Sequence, residues 1–219
     1  MAVILALETA TTNCSVAVVN STGQVFLKED YGSRYSHGES LHVFIEQLLN
    51  EAGISQSDLE AVAVSAGPGS YTGLRIGVSA AKGLCFALDI PLITIDTLDG
   101  LVRQLSAEEG HLVAMLDARR MEAYTAVYDG SYQVVESVKP EILTEESFQK
   151  YLKQGPVQFI GTANEKFQEV CSHENAQFID GKLPSAKELI PLALAKFEAG
   201  DFADLAYFEP QYLKAFQPG

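Results

Sequence analysis

The sequence predicts an α/β protein built from two related halves, and three observations lead there. Short apolar runs alternate with amphipathic stretches in the order βββαβαβ between Val3 and Leu105. A glycine-rich strand-to-helix turn, Gly67-Pro68-Gly69-Ser70-Tyr71-Thr72-Gly73-Leu74-Arg75-Ile76-Gly77, sits inside that series. The opening pattern then returns, because Ile4-Leu5-Ala6-Leu7-Glu8 and Leu112-Val113-Ala114-Met115-Leu116-Asp117 are both apolar strands ending on an acid. Seven residues after Glu8 comes Ser15-Val16-Ala17-Val18, and seven after Asp117 comes Tyr124-Thr125-Ala126-Val127. Each runs on into a turn holding a glycine, Gly23 or Gly130. Self-similarity at so long a period marks a diverged internal duplication.

In chain order, Val3 to Leu7, Ser15 to Val19 and Val25 to Leu27 form an antiparallel meander turned at Asn20-Ser21-Thr22-Gly23. Ser36-His37-Gly38-Glu39 reads as a capping box. Behind it Leu41, Phe44, Ile45, Leu48, Leu49 and Ala52 keep helical spacing until Gly53. Ala61 to Ala66 is a buried strand, broken by Gly67-Pro68-Gly69, and Thr72 is placed to N-cap a helix running to about Leu88. Pro91 to Ile95 is the next strand, and Asp96 or Thr97 caps a helix through about Leu105. The lobes divide near Glu108-Glu109-Gly110. In the second half Val134 to Val138 continues the meander, Glu145 to Leu152 is a short helix and Val157 to Gly161 a strand. Asn164 to Val170 is a helix, Gln177 to Ile179 a strand, and Pro184-Ser185 opens a last long helix that Gly200 ends. Its apolar side carries Leu189, Ile190, Leu192, Ala193, Leu194 and Phe197. The lobes are then residues 1–108 and 109–202, with the aromatic tail 203–219 expected to dock back on the first.

With 219 residues, 47% hydrophobic and 20% charged, the chain has the composition of a soluble globular protein. No apolar run approaches the ~20 residues of a membrane helix, and the opening lacks the basic region of a signal peptide. Cys14, Cys85 and Cys171 are scattered, without metal or disulfide spacing, which fits a reducing cytoplasm. Net charge is −14, from 15 basic and 29 acidic residues, and the longest basic run is Arg119-Arg120. Polyanions are bound by cations that displace counterions, so this chain is a poor holder of nucleic acid alone.

The glycine-rich turn admits three readings: a phosphate cradle, a helix shaped for a partner chain, or tight internal packing. It matches neither common phosphate fingerprint, which favours the other two. Gly73, Gly77 and Ala81 fall on one helix face, and interior glycines cost about 1 kcal/mol each against alanine. Another backbone passing close to that smooth face would offset the cost. Arg75 stands in the first helical turn, where the dipole disfavours a cation. It either holds a carboxylate across an interface or pairs with Glu8 or Asp99 within the chain. His37 and His42, five apart, point away from each other on a helix, and Ser70 and Cys85 have no evident general base. Glu8 and Asp117 read either as a catalytic carboxylate pair or as strand-end residues bonded to backbone amides.

Four motifs together resemble the bacterial TsaB (YeaZ) family. They are His37-Gly38-Glu39-Ser40-Leu41, the block from Gly67 to Gly77, Asp117-Ala118-Arg119 with Glu122 and Tyr124, and Glu209-Pro210-Gln211-Tyr212-Leu213. The resemblance spans nearly the whole chain in the right order. It departs from the family's pattern at Gly38, where Ser is usual, at Lys214, where Arg is usual, and at Glu8, where Asp often sits.

The resemblance implies an actin-like ATPase (ribonuclease H-like) fold. It implies a non-catalytic subunit that supports the catalytic paralogue TsaD, with the ATPase TsaE, in placing threonylcarbamoyl on the adenosine following the tRNA anticodon. The contact helices would begin near Glu39 and Thr72. Interface candidates are Glu39, His42, Ile45 and Leu49 on the first, and Thr72, Gly73, Arg75, Ile76, Gly77, Ala80, Ala81 and Leu84 on the second. The paralogue's metal-binding His-x-x-x-His corresponds here to Thr97-Leu98-Asp99-Gly100-Leu101, without histidines, so no metal is expected. Glu8, Thr9, Asp117 and Arg119 are the vestigial candidates for a nucleotide site, with Arg119 able to reach the cleft between lobes. No cofactor is expected to bind tightly, which leaves room for weak ATP or ADP binding at a shared interface. The expected partners are TsaD and TsaE, a homodimer when alone, tRNA only through the complex, and no membrane. Two other readings stay open: an active ATPase or kinase-like transferase, and a glycoprotease-like peptidase.

Overall fold

The computed structural model describes residues 1–32, 36–106 and 110–213. The expected lobe boundary at Glu108-Glu109 lies outside the described residues, as does Lys214. The described residues divide into two units, one within 1–100 and 184–212, the other within 101–183.

In the first unit, strands β1 (Ile4–Glu8), β2 (Cys14–Val19) and β3 (Val25–Asp30) form the meander. Helix α1 (His37–Ala52), β4 (Ala61–Gly67), α2 (Tyr71–Leu88) and β5 (Leu92–Asp96) follow. The sheet order is β3-β2-β1-β4-β5, with β1 antiparallel to β2 and parallel to β4. Strands β1, β2 and β4 are buried throughout, so successive side chains feed two cores. Leu5, Leu7, Val16, Val18, Val62 and Val64 meet Leu41, Ile45 and Leu48 of α1 and Val78, Ala81 and Cys85 of α2. Ile4, Ala6, Ala17, Val19, Ala61, Ala63, Ile93 and Ile95 take the opposite side.

That second face is covered by the last helix. Helix α3 (Thr97–Val102), which the unit boundary crosses, is shorter than the sequence suggests. Residues 184–199 are expected from sequence order in the second lobe. Instead the helix they form, Ala186–Ala199, packs Ala186, Leu189, Ile190 and Ala193 on the first sheet. The alanines of β1, β2 and β4 let its backbone approach closely, an arrangement that chain order does not reveal. Its start is anchored by Asn13, whose Nδ2 donates to the Pro184 carbonyl (2.9 Å), and by the Ala186 amide, which donates to Ser15 Oγ (2.9 Å).

The second unit repeats the plan with strands His111–Asp117, Glu122–Asp129, Val134–Ile142, Val157–Ile160 and Ala176–Ile179. Numbered β6 to β10, they lie in the order β10-β9-β6-β7-β8, strand for strand the order of the first sheet read from its other edge. The repeat gives a duplicated α/β architecture of two mixed five-stranded sheets. The helices here are short, Gln149–Leu152 and Asn164–Gln168, and Phe148, Phe159, Phe167 and Phe178 fill the core with ring contacts of 5.1–5.8 Å.

Local capping differs from expectation at two helices. Ser70, not Thr72, caps α2, its Oγ accepting from the Gly73 amide (3.3 Å). Ser36 precedes α1 without a side-chain cap, because its hydroxyl donates to Asp30 Oδ2 (2.9 Å). A true capping box occurs instead at Ser55 and Asp58, before a single 3₁₀ turn.

Candidate docking face

The close backbone that the glycines of α2 call for belongs to the chain itself. A Cβ on Gly73 would lie 2.1 Å from the Thr9 carbonyl oxygen, one on Gly77 2.3 Å from Thr9 Oγ1, and one on Gly69 2.6 Å from Ala10. Thr9 Oγ1 donates to the Gly73 carbonyl (2.8 Å), and the Ser70 amide donates to the Ala10 carbonyl (2.7 Å). The β1–β2 turn therefore packs directly against the glycine-rich loop and the start of α2. It also corrects the interface expectation. Gly73, Gly77 and Ala81 are sealed inside the monomer, and Ile45, Leu49 and Ala80 are buried in the first unit's cores.

What α2 offers outward is a different stripe. Thr72, Ser79, Gly83 and Phe86 are exposed, Phe86 at 83%, and Ile76 is half-buried. Their spacing of four and three alternately is the seam by which one helix meets another. Sequence reasoning missed Ser79, Gly83 and Phe86, although that 4-3-4-3 spacing was there to be read. Glu39, His42 and Val43 of α1 are exposed, and His42 lies beside the stripe. An open groove of about 660 Å³ runs along α2, lined by Thr72, Ile76, Ser79, Gly83 and Leu84 with His42 of α1 at its side.

Arg75 marks one end of this face. It pairs with neither Glu8 nor Asp99. Its guanidinium lies 4.2 Å from the Tyr71 ring centre and its Nε donates to the Tyr212 hydroxyl (3.1 Å), the two tyrosine rings being 4.8 Å apart. Tyr212 arrives with the tail. The Ala203 amide donates to the Leu92 carbonyl, the Gln211 amide to the Ala66 carbonyl, and Lys82 Nζ to the carbonyls of Ala206 (3.2 Å) and Phe208 (3.1 Å). The tail thus runs along the first unit and braces α2.

The candidate carboxylates are strand-end residues bonded to backbone. Glu8 Oε1 accepts from the Ala10 amide (2.6 Å) and from Ser65 Oγ (2.9 Å), while its Oε2 is buried without a partner. Burial pushes Glu8 up to about 7 against those hydrogen bonds. Asp117 Oδ1 accepts from the Arg119 amide (2.5 Å) and from Lys166 Nζ (3.1 Å). Both acids thus accept from the amide two residues on, one more trace of the duplication. Glu8 and Thr9 stand in the first unit, Asp117 and Arg119 in the second.

The remaining candidates hold structural positions. His37 is buried with Nε2 2.7 Å from the Thr11 carbonyl, and His42 is exposed. Cys85 donates to the Pro91 carbonyl (3.4 Å), and burial raises its thiol to about 11, opposite to the shift a nucleophile needs. Among the described residues no three His, Cys, Asp or Glu side chains gather as metal ligands, and no helix is long and apolar enough to cross a membrane.

The family model described as TsaD, tRNA N6-adenosine threonylcarbamoyltransferase, matches residues 32–215. The chain is 32% identical to the tRNA threonylcarbamoyladenosine biosynthesis protein TsaB of Escherichia coli (strain K12), covering 96% of this chain and 94% of that one. It is 27% identical to the protein of the same name from Haemophilus influenzae, over 96% and 93%. The solved structure of YeaZ from Pseudomonas aeruginosa superposes with a TM-score of 0.85 at 28% identity, over 97% of this chain and all of that one.

Proposed function

Because the chain belongs to the TsaB family, we propose that it takes part in tRNA threonylcarbamoyladenosine biosynthesis as a non-catalytic subunit of the transferase assembly. It docks a TsaD-type catalytic subunit on the exposed stripe of α2 and the neighbouring side of α1, and works with the ATPase TsaE in the cytoplasm. The observation that carries this reading is the outward seam Thr72-Ile76-Ser79-Gly83-Phe86, apolar at Ile76 and Phe86 and small at Ser79 and Gly83, on a helix otherwise locked to its own sheet. Small residues at Ser79 and Gly83 allow a second helix to approach closely. The same seam closes a homodimer when the partner is absent. ATP or ADP, if it contributes at the shared interface, binds weakly there, and tRNA is held through the complex.

Size-exclusion chromatography of the chain mixed with TsaD tests the reading. Wild type is expected to co-elute. Gly83→Arg and Phe86→Asp are expected to abolish co-elution while leaving the circular dichroism unchanged, because an added Cβ at Gly83 meets nothing within 4 Å. Unimpaired co-elution of both variants would overturn the docking assignment.

A further inference from the structure

The hairpin between β6 and β7 holds two consecutive residues in the left-handed region, Arg119 (φ 72°) and Arg120 (φ 51°). That conformation is disfavoured for any side chain with a Cβ and persists only where its surroundings impose it. Here they do. The Arg119 amide donates to Asp117 Oδ1 (2.5 Å), the Ala118 amide to the Glu122 carbonyl (2.9 Å), and the Glu122 amide back to the Arg119 carbonyl (3.1 Å). Lys166, its side chain only 13% exposed, gives its ammonium to Asp117 Oδ1 (3.1 Å), the Arg120 carbonyl (2.9 Å) and the Glu122 carbonyl. One lysine is thus committed to holding the turn, and the neighbouring carboxylate is occupied by it. Arg119 and Arg120 are exposed, and among the described residues neither forms an ion pair.

We propose that the Arg119–Arg120 hairpin is a contact for the phosphate backbone of the tRNA, with Lys166 as the residue that positions it. The inference rests on the assembly described under Proposed function. Two exposed guanidiniums on neighbouring residues offer donors to phosphate oxyanions, and each can engage phosphate in bidentate fashion. The rest of the chain argues for so local a contact. At a net charge of −14 the surface as a whole repels a polyanion, so the hairpin adds to binding that the partner begins and does not capture RNA by itself.

The test is the affinity of the purified complex with TsaD for an unmodified tRNA transcript, measured across a salt series. Arg119→Gln with Arg120→Gln is expected to weaken binding on the order of 10-fold or more near 0.1 M salt, and to lower the slope of log affinity against log salt by about 1.5 to 2. The double lysine variant, R119K with R120K, is expected to recover most of that slope, and Lys166→Met to lose affinity in part. Arg119→Gly with Arg120→Gly supplies a second readout. Its melting temperature is expected not to fall, since glycine suits both backbone positions, while its tRNA affinity drops like that of the glutamine pair. Unchanged affinity and slope in a variant complex that still assembles would overturn the inference alone. Reduced assembly with TsaD at unchanged tRNA affinity would assign the hairpin to a protein carboxylate and overturn it as well. Failure of the wild-type chain to join TsaD would remove the docking reading, and this inference with it.

Discussion

Thr9 decides what the glycines of α2 are for. Gly73 faces its backbone carbonyl and Gly77 its hydroxyl, and the two contacts predict different behaviour. Gly73→Ala is expected to destabilise the fold by about 3 kcal/mol or more, since only backbone movement relieves the clash. Gly77→Ala is expected to cost less, and to be largely restored in a Thr9→Ala background, which chemical denaturation of the single and double variants would measure. Glu8 makes a prediction in pH. Its folded state holds a proton up to about pH 7 against an ordinary value of 4.5, so the stabilisation is complete below about pH 4.5 and is lost as pH rises through about 7. The difference is on the order of 3 kcal/mol. Glu8→Gln keeps an acceptor for Ala10 and Ser65, and is expected to remove that fall of stability between pH 5 and 8. His37 acts in the opposite sense. Burial lowers its pKa, so its contribution is present above about pH 6.5 and is lost on acidification. In Glu8→Gln a residual rise of stability with pH should therefore emerge.

At the scale of elements, β strands are the most legible feature, because an apolar run such as Ala61-Val62-Ala63-Val64, stopped by Gly67-Pro68, has little else to become. Helix starts were less so. A Ser-x-x-Glu pattern states only that two side chains have the reach to cap, and at Ser36 the nearby Asp30 carboxylate took the hydroxyl instead. The buried ridge of α2 was visible as a spacing of glycines, yet its neighbour was not, since the turn at Thr9 and Ala10 meets it only through the tertiary fold. The exposed stripe was the harder reading, for a lone Phe86 on a surface helix carries no label until the rest of the helix is seen to be occupied. The Ala186–Ala199 helix follows the second lobe in sequence yet covers the first sheet, a pairing that only the tertiary fold makes visible. Leu189→Ala is expected to destabilise the first unit by about 2–5 kcal/mol, with hydrogen-exchange protection falling in β1 and β4 and not in β6 and β9.

For the whole molecule, the duplication was legible from the return of an apolar strand, an acid and a glycine turn. The two sheets carry it through every strand. The chemistry of the halves has diverged. Glu8 lies wholly buried at its turn, whereas Asp117 is tied to Lys166 beside an exposed hairpin, so one turn became core and the other surface. Removal of residues 200–219 is expected to leave both sheets folded, to free Arg75 from Tyr212, and to weaken co-elution with TsaD several-fold through loosened support of α2.

The position of the Ala186–Ala199 helix has a consequence for synthesis. One side of the first sheet has no cover until the segment through Ala199 has emerged from the ribosome, at roughly 5–20 residues per second. The strands made earliest therefore wait with Ile4, Ala6, Ala61 and Ile93 unprotected while the segment from Leu101 to Leu183 emerges with all its own strands in hand. Maturation then runs against the direction of translation, the later-made unit closing before the earlier one, and nascent chains stalled short of Ala186 should be the ones that holdase chaperones retain.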